Sequence, residues 1–247
     1  TSTVRANDTY GFSIVSYTGT GANATVGHGL STAPDLVIVK SRTHLSSWRV
    51  WITGFTGDQF LTLDTTNAVG TQATAWNSTT PTSSVFSLGS AGDTNRSAEN
   101  FIAYCFHDVT GKQKFGTYTG DGTSDGSLEI NVGFRPGWLM IKRTDSTSNW
   151  IIMDGTRNPL NPVTQQLYAD TSDDEDTEAG GRVTFTDTGF AHVNSGGGNN
   201  ANGATYIYAA FAGSYSDYIT DYNTDGSIDS RVKANDTTGF SIVSYTS

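Results

Sequence analysis

The chain has 247 residues, a formal net charge of −10 and a pI near 4.6. Its 14 Lys and Arg residues form no basic cluster, which argues against nucleic acid and anionic membranes as partners. Charged residues make up only 15%, below the roughly 25% of an ordinary soluble domain. Gly, Ser, Thr, Asn and Asp fill the difference, a composition typical of short strands joined by tight turns.

The first predicted element is an alternating strand, GFSIVSYT at 11–18. The alternation places Ser13, Val15 and Tyr17 on one face of that strand. Two later runs, DLVIVK at 35–40 and GWLMIK at 137–142, are continuously apolar and predict strands covered on both faces. No long amphipathic helix pattern occurs. We therefore predict an all-β fold.

The body of the chain contains two related segments. The landmarks that recur in order, at offsets of 101–105 positions, are Tyr17 and Tyr118, Lys40 and Lys142, Trp48 and Trp150, and Phe101 and Tyr206. A repeated order of landmarks predicts two tandem β-sandwich modules of the jelly-roll or lectin-like kind. The predicted boundaries are module 1 at 1–107, a linker at 108–113, module 2 at 114–212, a Gly/Asp/Tyr-rich linker at 213–231, and the start of another copy at 232–247.

A longer repeat supports that last boundary. VRANDTYGFSIVSYT at 4–18 returns as VKANDTTGFSIVSYT at 232–246, with thirteen of fifteen positions identical and a constant offset of 228. An isolated apolar strand pair is unstable in water and offers unpaired backbone groups to another chain. We expect 239–246 to pack outside its own two modules, either in a continuous tandem array, which we favour, or in a separate subunit joined head to tail. The expected polymer contacts are Phe240, Ile242, Val243 and Tyr245.

The same segments carry a family resemblance. GFSIVSYTGTGANATVGHGL, FGTYTGDGTSDG, VGFRPGWLMIKRTDSTSNWIIMD and ANGATYIYAAFA resemble repeat domains in virion and tail-fibre proteins of marine and cyanobacterial phages, and surface-fibre proteins of aquatic bacteria. The resemblance covers nearly the whole chain. It implies extracellular structural or adhesive repeats, with no catalytic residues.

The linker contains DYNTDGSIDS at 221–230, the first half of a calcium loop. Its candidate ligands are Asp221, Asn223, Asp225 and Asp229, and Ile228 would anchor the loop to a core. Position twelve is Val232 instead of the usual Glu, which favours a solvated turn over a calcium-stiffened linker. The acidic run 170–178 predicts an exposed loop, with weak cation binding as the alternative.

Ligand and modification candidates are few. Trp76, in the polar window TAWNSTTPTS, is the candidate surface platform for a sugar. Five N-x-S/T tripeptides give candidate glycan attachment sites at Asn7, Asn23, Asn77, Asn95 and Asn235. Cys105 lies in a predicted core strand.

These patterns favour a structural repeat of an extracellular fibre whose partners are copies of itself. We expect no catalysis, since neither a matched carboxylate pair nor metal-ligand spacing among the histidines occurs. No cofactor is expected to be required, and calcium is the one cation that the sequence suggests. The alternative is a carbohydrate-binding adhesin or receptor-binding module of a phage tail fibre.

Overall fold

A computed structural model describes residues 2–213, 222–223, 226–228, 230–235 and 240–245; at 222, 223, 230, 231, 233–235 and 240 it describes the backbone alone. Strands account for 43% of the chain and helices for 4%. The predicted all-β sandwich fold is confirmed. The two helices described have four residues each, so no described helix is long and apolar enough to cross a membrane.

The chain separates into two compact units. The first comprises residues 1–109, 115–117 and 144–148, and the second the remainder. The first unit contains β1 Ser2–Asn7, β2 Phe12–Thr18, β3 Ala24–Gly27, β4 Leu36–Ser41, β5 Arg49–Ile52, β6 Gln59–Thr62, β7 Gly70–Thr71, α1 Ala73–Trp76, β8 Val85–Leu88, α2 Gly92–Asn95 and β9 Asn100–Phe106. Its large antiparallel sheet has the order β1-β2-β9-β4-β5-β6-β7, and β3 pairs with β8 in a small second sheet.

The second unit repeats this plan. Its strands are β10 Gln113–Thr119, of which residues 115–117 group with the first unit, β11 Glu129–Asn131, β12 Pro136–Arg143, β13 Trp150–Asp154, β14 Gln165–Tyr168, β15 Asp176–Thr177, β16 Val183–Phe185, β17 Gly189–His192 and β18 Thr205–Ala212. The large sheet has the order β10-β18-β12-β13-β14-β15, and the small one β11-β17-β16. The order from β2 to β7 in the first unit is thus the order from β10 to β15 in the second.

Residue pairing follows the repeat as well. Lys40 stands opposite Ile102 in the first unit, and Lys142 stands opposite Ile207 in the second. The core of the second unit lies between its two sheets. Leu139 and Ile141 of the large sheet share one buried cluster with Phe185 and Phe190 of the small sheet. The alternating and continuous apolar runs supply these inward faces.

A recurring turn joins the two sheets in each unit. Tyr17 donates its hydroxyl to the Thr94 carbonyl oxygen over 2.6 Å, and Tyr118 donates to the Asn199 carbonyl oxygen over the same distance. Next to each tyrosine contact lies a buried asparagine. Asn95 Nδ2 donates to the carbonyl oxygens of Ala22 and Gly89, each over 2.7 Å.

The equivalent residue in the second unit is Asn200. Its Nδ2 donates to the Thr123 carbonyl oxygen over 2.8 Å and to Asp121 Oδ1 over 2.9 Å. These buried amides satisfy backbone groups that the turn would otherwise leave unpaired. The YTG motif therefore marks a structural joint that both units use.

The last part of the chain forms a separate small sheet. Its strands are β19 Tyr222–Asn223, β20 Ser230–Asn235 and β21 Phe240–Tyr245, in the order β19-β20-β21. Within the described residues these strands pair only with one another.

Candidate functional site

The long repeat folds into the same local structure twice. We call β1 and β2 the first strand pair, and β20 and β21 the tail strand pair. In the first, Ser2 stands opposite Tyr17 and Asn7 opposite Phe12. In the tail pair, Ser230 stands opposite Tyr245 and Asn235 opposite Phe240. Every residue pair is shifted by 228 positions, so the two copies share one register.

In the first strand pair, one face of β2 is covered by the rest of its unit. Ser13 and Val15 are fully buried, and Tyr17 is 5% exposed. The Tyr17 ring stacks on Phe101, with 5.3 Å between ring centroids, and meets Phe86 of the small sheet edge-on at 6.1 Å. One edge of β2 pairs with β1, and the other edge pairs along its whole length with β9.

In the tail strand pair, the equivalent face is open. We call Ser241, Val243 and Tyr245 the tail face. Val243 is 52% exposed and Tyr245 is 65% exposed, while Ser241 is also exposed. Ile228 is half exposed and lines, with Val243 and Tyr245, an open hollow of about 280 Å³. The expectation that Ile228 anchors a loop in a core is therefore wrong, because its side chain contributes to an open apolar surface.

Of the four expected polymer contacts, the three whose side chains the structure describes divide between two faces. Val243 and Tyr245 lie on the open tail face. Ile242 points the other way and is half-buried, which follows from the period of two in a strand. The Phe240 side chain lies outside the described residues.

The structure does not test the hypothesis of a calcium site in the linker. Asp221, Asp225 and Asp229 lie outside the described residues, and of Asn223 only the backbone in β19 is described. Within the described part of the chain, no group of three or more His, Cys, Asp or Glu side chains could hold a metal ion. Calcium binding in the linker stays a prediction.

The acidic run 170–178 is exposed along most of its length but is tied to basic and polar partners. Arg157 Nη1 donates to Glu175 over 2.8 Å, and Arg182 Nη2 lies 3.2 Å from Glu178. Hydrogen bonds from the Tyr168 hydroxyl and the Gln166 amide lower the pKa of Asp176. Carboxylates held in this way lie in bonded pairs instead of converging on one ion.

The structure places Trp76 inside the first unit. It is 2% exposed and lies with Val37, Trp51 and Phe86 around a small apolar space. The helix α1 turns Ala75 and Trp76 inward while its polar neighbours face out. The expectation of a surface platform for sugars is wrong, since an indole buried in a core has no free face for stacking.

The candidate glycan sites differ in accessibility. Asn7 and Asn23 are exposed, and Asn77 is half-buried. The side chain of Asn235 lies outside the described residues. The prediction of a glycan site at Asn95 is wrong, because its Nδ2 atom, to which a glycan would be attached, is buried and bonded to backbone carbonyls.

Two buried titratable groups are held in their neutral forms. Burial raises the pKa of the Cys105 thiol to about 12 and lowers the pKa of His192 to about 4. A thiol with so high a pKa holds almost no thiolate at neutral pH and is a poor nucleophile. Both side chains serve packing.

Sequence reasoning identified the repeated strand but missed the buried asparagines and Ile228 as a surface residue. A signal for Asn95 and Asn200 exists. Each precedes the closing aromatic strand by the same interval, so the offset between them equals that between Phe101 and Tyr206.

The fold and its open face define a class of protein, a tandem all-β unit carrying an extra copy of its own first strand pair. The chain belongs to one family, described as Domain of unknown function (DUF7483), whose model matches residues 1–214. Neither a curated protein nor a solved structure matches the chain. The family match spans the first strand pair, so the tail strand pair repeats the opening of a domain of this family.

Proposed function

We propose that this chain is a structural repeat of an extracellular fibre or filament, in which successive units join head to tail and no reaction is catalysed. The observation that carries the proposal is the second copy of the first strand pair. It has nearly the same sequence and the same register, but its apolar face is open instead of covered.

The physical basis is that, among the described residues, the tail strand pair lacks the neighbouring strand and the covering core that the first strand pair has. An open strand edge beside an apolar face is a site for adding another chain. A contact between the tail of one unit and the body of another uses two different surfaces. Such a heterologous contact repeats without closing, which gives a filament.

The alternative of a carbohydrate-binding module loses its main support with the burial of Trp76. The first unit has a cavity of about 270 Å³ lined by Thr20, Thr25 and Asn95, among others. However, the Asn95 amide oxygen already accepts from the Thr20 backbone N–H over 2.8 Å, and its nitrogen is bonded as described above. The Asn95 amide is therefore committed to the unit and is not free to bind a sugar.

Electron microscopy tests the proposal. Concentrated protein without any ligand should form long filaments of constant width under negative stain. The same preparation should give no signal on a glycan array. Particles that stay single at every concentration, together with selective glycan binding, would support the adhesin instead.

A further inference from the structure

We infer that the tail strand pair occupies, in a second copy of this chain, the place that the first strand pair holds against β9. The inference rests on the proposed head-to-tail assembly and specifies its contact. The occupant of the open tail face is then the inner side of the first unit of another copy, a separate molecule of the same 247-residue chain.

The first step is that the structure shows the receiving surface. In the first unit, Ser13 stands opposite Cys105, Val15 opposite Ala103 and Tyr17 opposite Phe101. The β9 partners in these three pairs are fully buried. This surface accepts a strand with a small residue, a β-branched residue and a tyrosine at alternate positions.

The tail strand pair presents those residues in that order. Ser241, Val243 and Tyr245 are the counterparts of Ser13, Val15 and Tyr17. Docked in the same way, Tyr245 would stack on the partner copy's Phe101 position and donate its hydroxyl to the carbonyl oxygen of the Thr94 position. The register that the two strand pairs share supplies this template.

The second step is that the sequence differences within the strands do not oppose the exchange. β1 has Thr3 and Arg5 where β20 has Arg231 and Lys233. Thr3 and Arg5 are both exposed on the outer strand of the sheet. A basic residue can remain in solvent at either position, so these two changes have little effect on the fit.

The third step concerns competition. Each copy already has its own first strand pair in the slot, so exchange requires that pair to be released or to lose in competition during folding. A tethered segment acts at an effective concentration in the millimolar range. Exchange between separate molecules should therefore depend steeply on protein concentration during folding, and it should increase when the first strand pair is weakened.

Cysteine pairing tests the exchange in the full chain. In the Ser241→Cys variant, docking brings the introduced thiol opposite the native Cys105 of another copy, and directly opposed cross-strand positions lie within the span of a disulfide. The variant is refolded at about 1 mM, comparable with the effective concentration of a tethered segment, and oxidised with diamide. We expect disulfide-linked multimers and, in mass spectrometry, a peptide joining positions 241 and 105.

Two matched variants control the test. Ser244→Cys carries its thiol on the opposite face of the same strand and should give at least ~10-fold fewer multimers linked through Cys105, since that side chain points away. Ser13→Cys should form an internal bridge to Cys105 and stay monomeric. Adding Val15→Asp to Ser241→Cys should increase the linked fraction; should that double variant fail to fold, the single variant still decides.

The outcomes separate the inference from the proposed function. A 241–105 link inside one molecule would overturn the inference, because the tail pair would then fold back on its own unit. Filaments in the microscope without any 241–105 link would overturn the inference and leave the fibre proposal standing. Monomers with no link and no filaments would contradict both.

Discussion

At the scale of single residues, buried asparagines hold the turn that joins the two sheets. Replacing Asn95 by Ala removes the partner of the Thr20 backbone N–H and of the Gly89 carbonyl oxygen, whereas the Ala22 carbonyl oxygen still accepts from the Thr20 hydroxyl. Leaving buried polar groups unpaired costs about 1–3 kcal/mol each. We expect Asn95→Ala to lower the free energy of unfolding by about 3 kcal/mol in urea titrations.

A matched control is Asn100→Ala, since the Asn100 side chain bonds to Thr18 at an exposed position. It should change the free energy of unfolding by no more than about 0.5 kcal/mol. Equal effects of the two substitutions would contradict the role given to Asn95.

His192 predicts a pH dependence of stability. It is fully buried, and burial lowers its folded-state pKa from 6.5 to about 4. Below pH 6.5 the unfolded chain takes up a proton that the folded chain cannot, so this contribution to stability is complete above pH 6.5 and is lost as the pH falls towards 4. At about 1.4 kcal/mol per pH unit, the loss approaches about 3 kcal/mol.

The first unit supplies the control for this prediction. Leu88 follows Phe86 by two positions, as His192 follows Phe190, so Leu88 is the counterpart of His192 in the first unit. The free energy of unfolding of His192→Leu should therefore depend less on pH between 6.5 and 4 than that of the unsubstituted chain. Parallel curves for the two proteins would show that the folded chain binds this proton as readily as the unfolded chain does.

At the scale of elements, the YTG turn depends on close backbone approach. A Cβ on Gly19 would lie 2.2 Å from the Arg96 carbonyl oxygen. Because that neighbour is backbone, the turn must shift to relieve the contact. We expect Gly19→Ala to lower the free energy of unfolding by at least about 2 kcal/mol.

Gly92 provides the comparison for Gly19. A Cβ there meets nothing within 4 Å, and the residue begins α2. Gly92→Ala should be neutral or stabilise the protein by up to about 1 kcal/mol in thermal unfolding. A stable Gly19→Ala protein would mean that the turn has more space than the structure shows.

The two strand pairs predict opposite consequences for one substitution. Val15→Asp buries a carboxylate in the first unit and should lower the free energy of unfolding by about 3 kcal/mol or more. Val243→Asp adds a charge at an exposed position, so the unfolding midpoint of the single chain should change little. Chemical denaturation of both variants at low protein concentration checks the contrast.

How far the sequence predicts this structure depends on the range of the interactions involved. Strand alternation and the recurring landmarks are local or periodic signals, and they predict the sandwich and the shared strand order. Trp76 shows the limit: its polar window predicts exposure, but a single helical turn rotates the indole into the core. The sequence suggested a glycan site at Asn95 and missed its structural role for a related reason, since its hydrogen bonds join segments 75 positions apart.

At the scale of the whole molecule, the chain carries two copies of one strand pair. Among the described residues, only the first strand pair has its inner face covered by the rest of a unit. Nearly the same sequence is therefore seen in two environments, buried in the first unit and open in the tail. In the proposed assembly the duplicate would join units without closed symmetry, because each tail would supply the element with which another unit begins.

The molar mass of the refolded protein tests this most directly. After refolding at about 1 mM, light scattering should show species above 26.3 kDa, at multiples of that mass. Ser244→Asp, on the other face of the strand, should still assemble, whereas Val243→Asp should remain at the mass of one chain. A full chain that stays monomeric at every concentration, or a Val243→Asp variant that assembles as readily as Ser244→Asp, would contradict the claim that the tail strand pair joins one unit to the next.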